Sequence, residues 1–289
     1  MKTWLAVLLC AVLTGCGLTR RGPLDPSLGA FIPSDAVALA GVHIDLIRAT
    51  PTYQKLASKK QLPSFDEFPM DTGFDPANDV HDLLVASDGN KALAAAHGEF
   101  KGKRPTGLEV SAYKGYTLYT KHGEDAIVFL DDHTVLGGPP VMVRAAIDQY
   151  ARHADAAPSA LLARVRALPT DAQVWAVATG WKGLTPDTRR QMGNAANIDR
   201  MLRSVQGASL TVDFRKGVQG AATGDCQTDN DAKTLAESLQ GLLTLARMGI
   251  PQNKPELNRL FDNIHVQQQG RAVKLTIELQ EDLIDQLAR

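Results

Sequence analysis

The chain has 289 residues, with 31 Lys and Arg against 32 Asp and Glu, and 44% of its residues are hydrophobic. This near neutrality lacks the basic excess that marks a nucleic-acid-binding surface, so no nucleic-acid partner is expected. The apolar share supports a sizeable core at this length, and three cysteines are too few for a disulfide framework.

The first element is a targeting segment. Lys2 precedes the apolar run "WLAVLLCAVL" from Trp4 to Leu13, which fits the roughly 7–15 residues of a secretory signal and falls short of the ~20 that a membrane-spanning helix requires. It leads into "LTGC", Leu13 to Cys16. This stretch resembles the lipobox of bacterial lipoproteins. The resemblance implies that residues 1–15 are a signal peptide, that the Cys16 thiol carries a diacylglycerol, and that Cys16 becomes the first mature residue. The chain would then be held at a membrane, since each buried methylene contributes ~0.8 kcal/mol and two or more acyl chains anchor stably. Gly17 stands where an aspartate favours inner-membrane retention in many such lipoproteins, so the implied location in the cell envelope leans to the outer membrane. Residues 16–30, "CGLTRRGPLDPSLGA", are rich in Gly and Pro without apolar periodicity and are expected to form a tether.

The body then opens with "DAVALAGVHID" (Asp35 to Asp45), a strand pattern, and "LIRATPTYQKLAS", a helix restarted at Pro51. Asp75 and Pro76 suit the N-cap and first position of a short helix. "LLVAS" and "ALAAAHGEF" flank Asp88-Gly89, which supplies the positive φ of a tight hairpin. From Leu108, "LEVSAYKGYTLYT", "DAIVFLD" and "HTVLGG" are strands. The helix "VMVRAAIDQYARH" follows, with Val143, Ala146, Ile147 and Tyr150 on one face.

"ADAAPSALLARVRALPTDA" reads as a bridge to a second half that begins with the strand "VWAVATG", a helix from about Thr185 to Ser204, and the strands "SLTVDF" and "VQGAATG". A long helix starts at Thr228 with Asp231 in a capping-box arrangement and stops at Gly249 and Pro251. Leu235, Leu239, Leu242, Leu243 and Ala246 lie along one side of it. A short helix "PELNRLFD", the hairpin "IHVQQQGRAVKLTIEL" and a last amphipathic helix close the chain. Both halves thus read strand, helix, hairpin, helix. The expected fold is α+β, as two pseudo-repeated lobes over residues 31–155 and 156–289, each an antiparallel sheet with helices on one face. Together with the lipobox, stretches such as "TGFDPANDVHDLLVASDG", "VFLDDHTVLGG" and "LAESLQGLLTLAR" resemble a group of poorly characterised bacterial envelope proteins with a duplicated α+β body. That resemblance carries no assigned activity.

Chemistry-bearing motifs are absent from the sequence: no Gly-x-Ser-x-Gly elbow, phosphate-binding loop, His-Glu-x-x-His or Cys-x-x-Cys occurs. No cofactor, no metal and no enzymatic activity is therefore expected. Asp75, Asp79, His81 and Asp82 crowd metal-type ligands into eight residues, and helix capping with an exposed polar face accounts for them. His97-Gly98-Glu99 and His122-Gly123-Glu124 read as strand-end turns using glycine for positive φ. His43 and Asp45 are alternate residues at a strand end and are expected on one side. Trp175 and Trp181 are assigned to the core or to the interface between lobes, and Cys226 to a small buried or half-buried thiol. Arg271 and Lys274, near the last hairpin's turn, are the candidate contact surface.

The function expected from this pattern is that of a non-enzymatic, lipid-anchored envelope protein that binds another envelope component, foremost a protein. The alternative is a carrier of an apolar small molecule or lipid, which requires an apolar cavity above ~300 Å³. A hydrolase with an unrecognised site would require His43 or the two His-Gly-Glu tripeptides to converge with acids in one cleft.

Overall fold

The computed structural model describes residues 22–58, 73–121, 123–152, 157–180, 203–251 and 253–287. Cys16, the first part of the expected tether, His122, Trp181 and most of the helix expected from Thr185 lie outside the described residues. The strands are β1 (Ala38–His43), β2 (Val80–Ser87), β3 (Ala92–Gly98), β4 (Glu109–Tyr113), β5 (Tyr116–Lys121), β6 (Asp125–Phe129) and β7 (Thr134–Gly138) in the first half. In the second they are β8 (Val174–Thr179), β9 (Val205–Asp213), β10 (Val218–Cys226), β11 (Ile264–Gln269) and β12 (Ala272–Leu279). The described helices are α1 (Pro26–Gly29), α2 (Ile44–Arg48), α3 (Pro51–Ser58), α4 (Pro76–Asp79), α5 (Pro140–Ala151), α6 (Ser159–Ala167), α7 (Asp229–Met248), α8 (Pro255–Asp262) and α9 (Glu281–Leu287). None of them is long and apolar enough to cross a membrane.

The α+β class with antiparallel pairing is as expected, but the two halves do not form two lobes with separate sheets. All twelve strands join one sheet in the order β11-β12-β10-β9-β8-β1-β2-β3-β7-β6-β5-β4. The junction is the antiparallel pair β1–β8, with Leu39 opposite Val177 and Gly41 opposite Trp175. Both strands alternate apolar residues, and in separate lobes each would leave an apolar edge; pairing them removes two such edges. Outward from the junction, β1-β2-β3-β7-β6 on one side answers β8-β9-β10-β12-β11 on the other.

Burial changes face across this junction. In the first half, Leu39, Leu84, Ala86, Leu93, Ala95, Val128 and Leu136 share one face and pack under Leu28 of α1, Val143, Ala146 and Ile147 of α5, and Leu161 and Val165 of α6. In the second half that face carries Ser209, Thr211, Thr223 and Lys274. The opposite face there carries Ala208, Val266 and Val273, under Ala232, Leu235 and Ala236 of α7. A smaller aromatic cluster of Phe74, Phe100 and Phe129, with edge-to-face rings, covers the opposite face near β3 and β7.

Three expectations are corrected by packing. Residues 22–30 are part of the body and not a tether: Leu28 is 1% exposed, Asp25 caps α1, and the Gln149 amide donates to the carbonyls of Ala30 and Ile32 at 2.8 and 2.9 Å. That clamp explains why Gln149 is buried on α5 where a purely apolar face was expected, while Tyr150 is 39% exposed and stacks on Phe31. The bridge between halves contains α6, which belongs to the first-half core. Along α7 the buried apolar residues are confined to the first half, while the end is tied to α8 through Arg247, which donates to the Phe261 carbonyl at 2.6 Å. Leu235 is buried and Leu239 borders the cluster, but Leu242, Leu245 and Met248 are 40%, 65% and 79% exposed, because a 20-residue helix runs about 30 Å and outreaches the three strands beneath it.

Cys226 ends β10 and is 2% exposed among Val205, Leu235 and Val273. Burial pushes its thiol up from the usual range, which suppresses the reactive thiolate. The folded protein is expected to leave this thiol unlabelled by a disulfide reagent at pH 7 over the time in which the urea-unfolded chain reacts fully. Rapid stoichiometric labelling of the native state would contradict the assignment.

Candidate functional site

Two features outside the ordinary packing stand out, one apolar and one polar. The apolar feature is a groove of about 450 Å³ on the face under α7, at the middle of the sheet. Its floor is two adjacent cross-strand rows. One row runs Ser87, Ala38, Ala178, Ala208, Gly224 and Val273, and the next runs Val85, Ala40, Ala176, Leu210, Ala222 and Leu275. Each row crosses six strands, a span of about 24 Å at ~4.8 Å per strand spacing. Leu235 and Leu239 of α7 form one wall. Among the described residues, the volume exists because the central positions of both rows are Ala or Gly except for Leu210, so little side-chain bulk rises from the middle of the sheet.

The chemistry of the floor is restrictive. The six strands are all interior to the sheet, so their N–H and C=O groups are spent on ladder bonds to both neighbours. Ser209 and Thr223 border the groove through backbone only, their side chains belonging to the other face. The Ser87 hydroxyl donates to the Lys91 carbonyl and accepts from Gly89 N–H in the β2–β3 turn. The surface therefore offers dispersion contacts and almost no hydrogen bonds.

The polar feature lies at the end of β1, β2 and β3 on the first-half core face. Register sets His43 opposite Asp82, Asp82 opposite His97 and His97 opposite Thr134. The N-terminal segment lies over this row. His43 bonds through Nδ1 to Asp82 and through Nε2 to the Pro23 carbonyl at 2.5 Å. The Asp82 carboxylate raises the His43 pKa above its usual value against the opposing effect of burial, and the Pro23 carbonyl adds to it; two acceptors facing two ring nitrogens favour the imidazolium. Asp25 brings one oxygen to Ser27 N–H at 2.7 Å and the other to 3.8 Å from His97 Nδ1. Beside them is a void of about 10 Å³ lined by Pro23, Asp25, Gly41, His43, Asp82 and Trp175.

The sequence candidates scatter differently from their spacing. Asp75 caps α4 through Ala77 N–H at 2.9 Å, and Asp79 pairs with Lys103. His81 turns to Asp45, 2.6 Å away, while Asp82 goes to His43, so the four do not assemble. For the same reason His43 and Asp45 part: β1 ends at His43, and Asp45 already belongs to α2, where it also pairs with Arg48. Gly123 has the expected positive φ of 74°. Gly98 has a different reason, because a Cβ there would fall 2.0 Å from the Asp79 carbonyl oxygen. Trp175 is in the core, 1% exposed. Arg271 and Lys274 are exposed, and Lys274 is on the face away from the groove. Reversing both charges is expected to move the thermal midpoint little, about 0.5 kcal/mol or less, as read by calorimetry.

Sequence reading missed the groove, and of the polar row it named His43, Asp82 and His97 separately but neither Asp25 nor their convergence. The groove does leave a signal, the small residues at alternate positions in "ALAGV", "WAVAT", "GAS" and "GAATG", which keep strand period while giving up side-chain volume. The polar row leaves none beyond its separate residues, since His43, Asp82 and His97 are joined by strand register and Asp25 by the folding of the N-terminal segment over them.

No protein-family profile matches the chain, and no curated protein does. Among solved structures it is similar to crystal form I of the treponemal protein TP0453, at 10% identity and a TM-score of 0.47, over 92% of this chain and 97% of that one. Crystal form III of the same protein gives 10% and 0.46, and form IV gives 11% and 0.44.

Proposed function

We propose that this chain is a lipid-anchored protein of the bacterial cell envelope, held through an acylated Cys16, whose body binds a molecule with a long hydrocarbon chain in the central groove without catalysing its conversion. The observation that carries the reading is an apolar groove floor across six hydrogen-bond-saturated strands, with Ala or Gly at seven of its twelve row positions. An extended peptide in that groove would bury backbone groups with no partners, at roughly 1–3 kcal/mol for each. A hydrocarbon chain loses nothing there and gains ~0.8 kcal/mol per buried methylene. The volume of about 450 Å³ falls within the ~300–1,000 Å³ of small-molecule sites. The polar row, by contrast, surrounds a space of about 10 Å³, room for one water and not for a substrate. This supports carriage over hydrolysis.

The test is displacement of a fluorescent polyene fatty acid from the purified full chain, with mass spectrometry of apolar molecules extracted from the protein as isolated. Saturable binding of one chain per protein is expected, and absence of saturable binding would remove the proposal. The anchor is tested separately: Cys16→Ser is expected to move the protein from the membrane to the soluble fraction, and an acyl-free intact mass for the wild type would overturn that part.

A second reading, an envelope protein as partner, is favoured by the exposed apolar ridge of Leu242, Leu245 and Met248 on α7. Under it, Leu245→Glu with Met248→Glu abolishes co-purification of that protein and leaves fatty-acid binding intact.

A further inference from the structure

We infer that Asp25, Asp82 and His97 form a binding site for one divalent first-row metal ion of the Zn²⁺ class, which fastens the N-terminal segment to the sheet. One oxygen from each aspartate and one ring nitrogen of His97 lie within 4.8 Å of one another. The three come from separate stretches of chain: Asp25 precedes α1, and Asp82 and His97 face each other across β2 and β3. The 3.8 Å between Asp25 Oδ2 and His97 Nδ1 is too long for a hydrogen bond. It is close to the separation of two ligands on one ion, about 3.4 Å for tetrahedral bonds of ~2.1 Å.

A second observation points to the same place independently. Trp175 Nε1 is buried and has no hydrogen-bond partner among the described residues, and a buried donor left unpaired costs about 1–3 kcal/mol. Trp175 lines the small void together with His43 and with Asp25 and Asp82, two of the three ligands; His97 adjoins from outside that lining, opposite Asp82 across β2 and β3. That void has room for one water, and a three-residue ligand set takes a water in its fourth position. A water there would supply the acceptor that the indole lacks.

The donor set selects the ion. One imidazole with two carboxylates suits zinc and its neighbours, whereas Ca²⁺ takes about 6–8 oxygens at longer distance. His43, bonded to Asp82 on one side and the Pro23 carbonyl on the other, acts as a positioning residue that fixes the orientation of the Asp82 carboxylate.

The experiment is calorimetric titration of the chelator-stripped full chain with Zn²⁺, alongside Ca²⁺ as comparison. One Zn²⁺ per chain is expected, with a raised thermal midpoint and no displacement by equimolar Ca²⁺. His97→Ala and Asp82→Asn are each expected to weaken binding at least ~10-fold. Asp25→Asn is the discriminating variant, because asparagine still caps α1 while the anionic ligand is lost; it is expected to retain the metal-free midpoint and lose the Zn²⁺-dependent rise. Limited proteolysis near residues 22–30 should slow with Zn²⁺ in the wild type alone. Failure of the wild type to take one Zn²⁺, or wild-type affinity in both Asp25→Asn and His97→Ala, overturns the inference.

Discussion

Trp175→Ala is expected to cost about 3–5 kcal/mol of stability, read as a lower urea midpoint at unchanged slope. Trp175 is 1% exposed and heads the fully buried side chains by size. Its position makes the loss hard to repair. The residue directly opposite on β1 is Gly41, and the space a side chain would use there is filled by the indole: a Cβ on Gly41 would lie 2.2 Å from Trp175 Cε2 and 2.4 Å from Nε1. Gly41 is therefore required by space and not by backbone angle. Removing the indole leaves a hole that glycine has no atoms to fill, at the seam where the two halves of the sheet meet. Gly41→Val alone is expected to be strongly destabilising, since an interior ring wedged against a strand has nowhere to move. The double variant Gly41→Val with Trp175→Ala should recover part of the sum, a coupling of roughly 1–3 kcal/mol in a double-mutant cycle. Additive costs would show that the two residues do not share the same space.

This pair also shows how far the sequence could be read. "VALAGVHID" and "VWAVATG" are legible as strands because period-2 alternation is a local property. That these two strands pair with each other is not local: Gly41 and Trp175 are separated by most of the first half of the chain, and their complementarity of size has no sequence signature. Separate lobes are inferred from a repeated order of elements; the strands do follow one another outward in the same way from β1 and from β8, while most of the helix expected between β8 and β9 lies outside the described residues. What the order leaves open is whether two apolar edges stay apart or close on each other.

The N-terminal segment failed for a related reason. "GPLDPSLGA" has the composition of a linker, yet Leu28 is buried and Asp25, Gln149 and His43 tie its backbone down. Composition reports the cost of ordering such a segment but not the polar partners waiting for it on α5 and β1. For α7 the periodicity is legible along its whole length, and only the width of the sheet beneath it decides that Leu242 and Ala246 of the expected face stay exposed. The candidate sites follow the same division. Alternate small residues are visible in β1, β8 and β10 separately, whereas their alignment into a floor appears only with the register of six strands.

Ala176→Phe is expected to weaken fatty-acid binding on the order of 100-fold while leaving the fold intact. Ala176 sits mid-row, between Ala40 of β1 and Leu210 of β9, and lines the groove. A phenyl ring rising from that point fills the space that about four methylenes of a hydrocarbon chain would occupy. At ~0.8 kcal/mol for each, roughly 3 kcal/mol is lost, which corresponds to about two orders of magnitude in Kd. Stability is expected to hold because phenylalanine is a good strand residue and the ring enters open volume without overfilling a packed core. The control is Thr276→Phe. Thr276 adjoins the floor residue Leu275 on β12 but belongs to the opposite face, so the same ring is added to the same sheet without entering the groove. Displacement titration of the polyene fatty acid with both variants decides between the two faces. Equal weakening by Thr276→Phe, or wild-type affinity in Ala176→Phe, would mean that the hydrocarbon chain binds elsewhere.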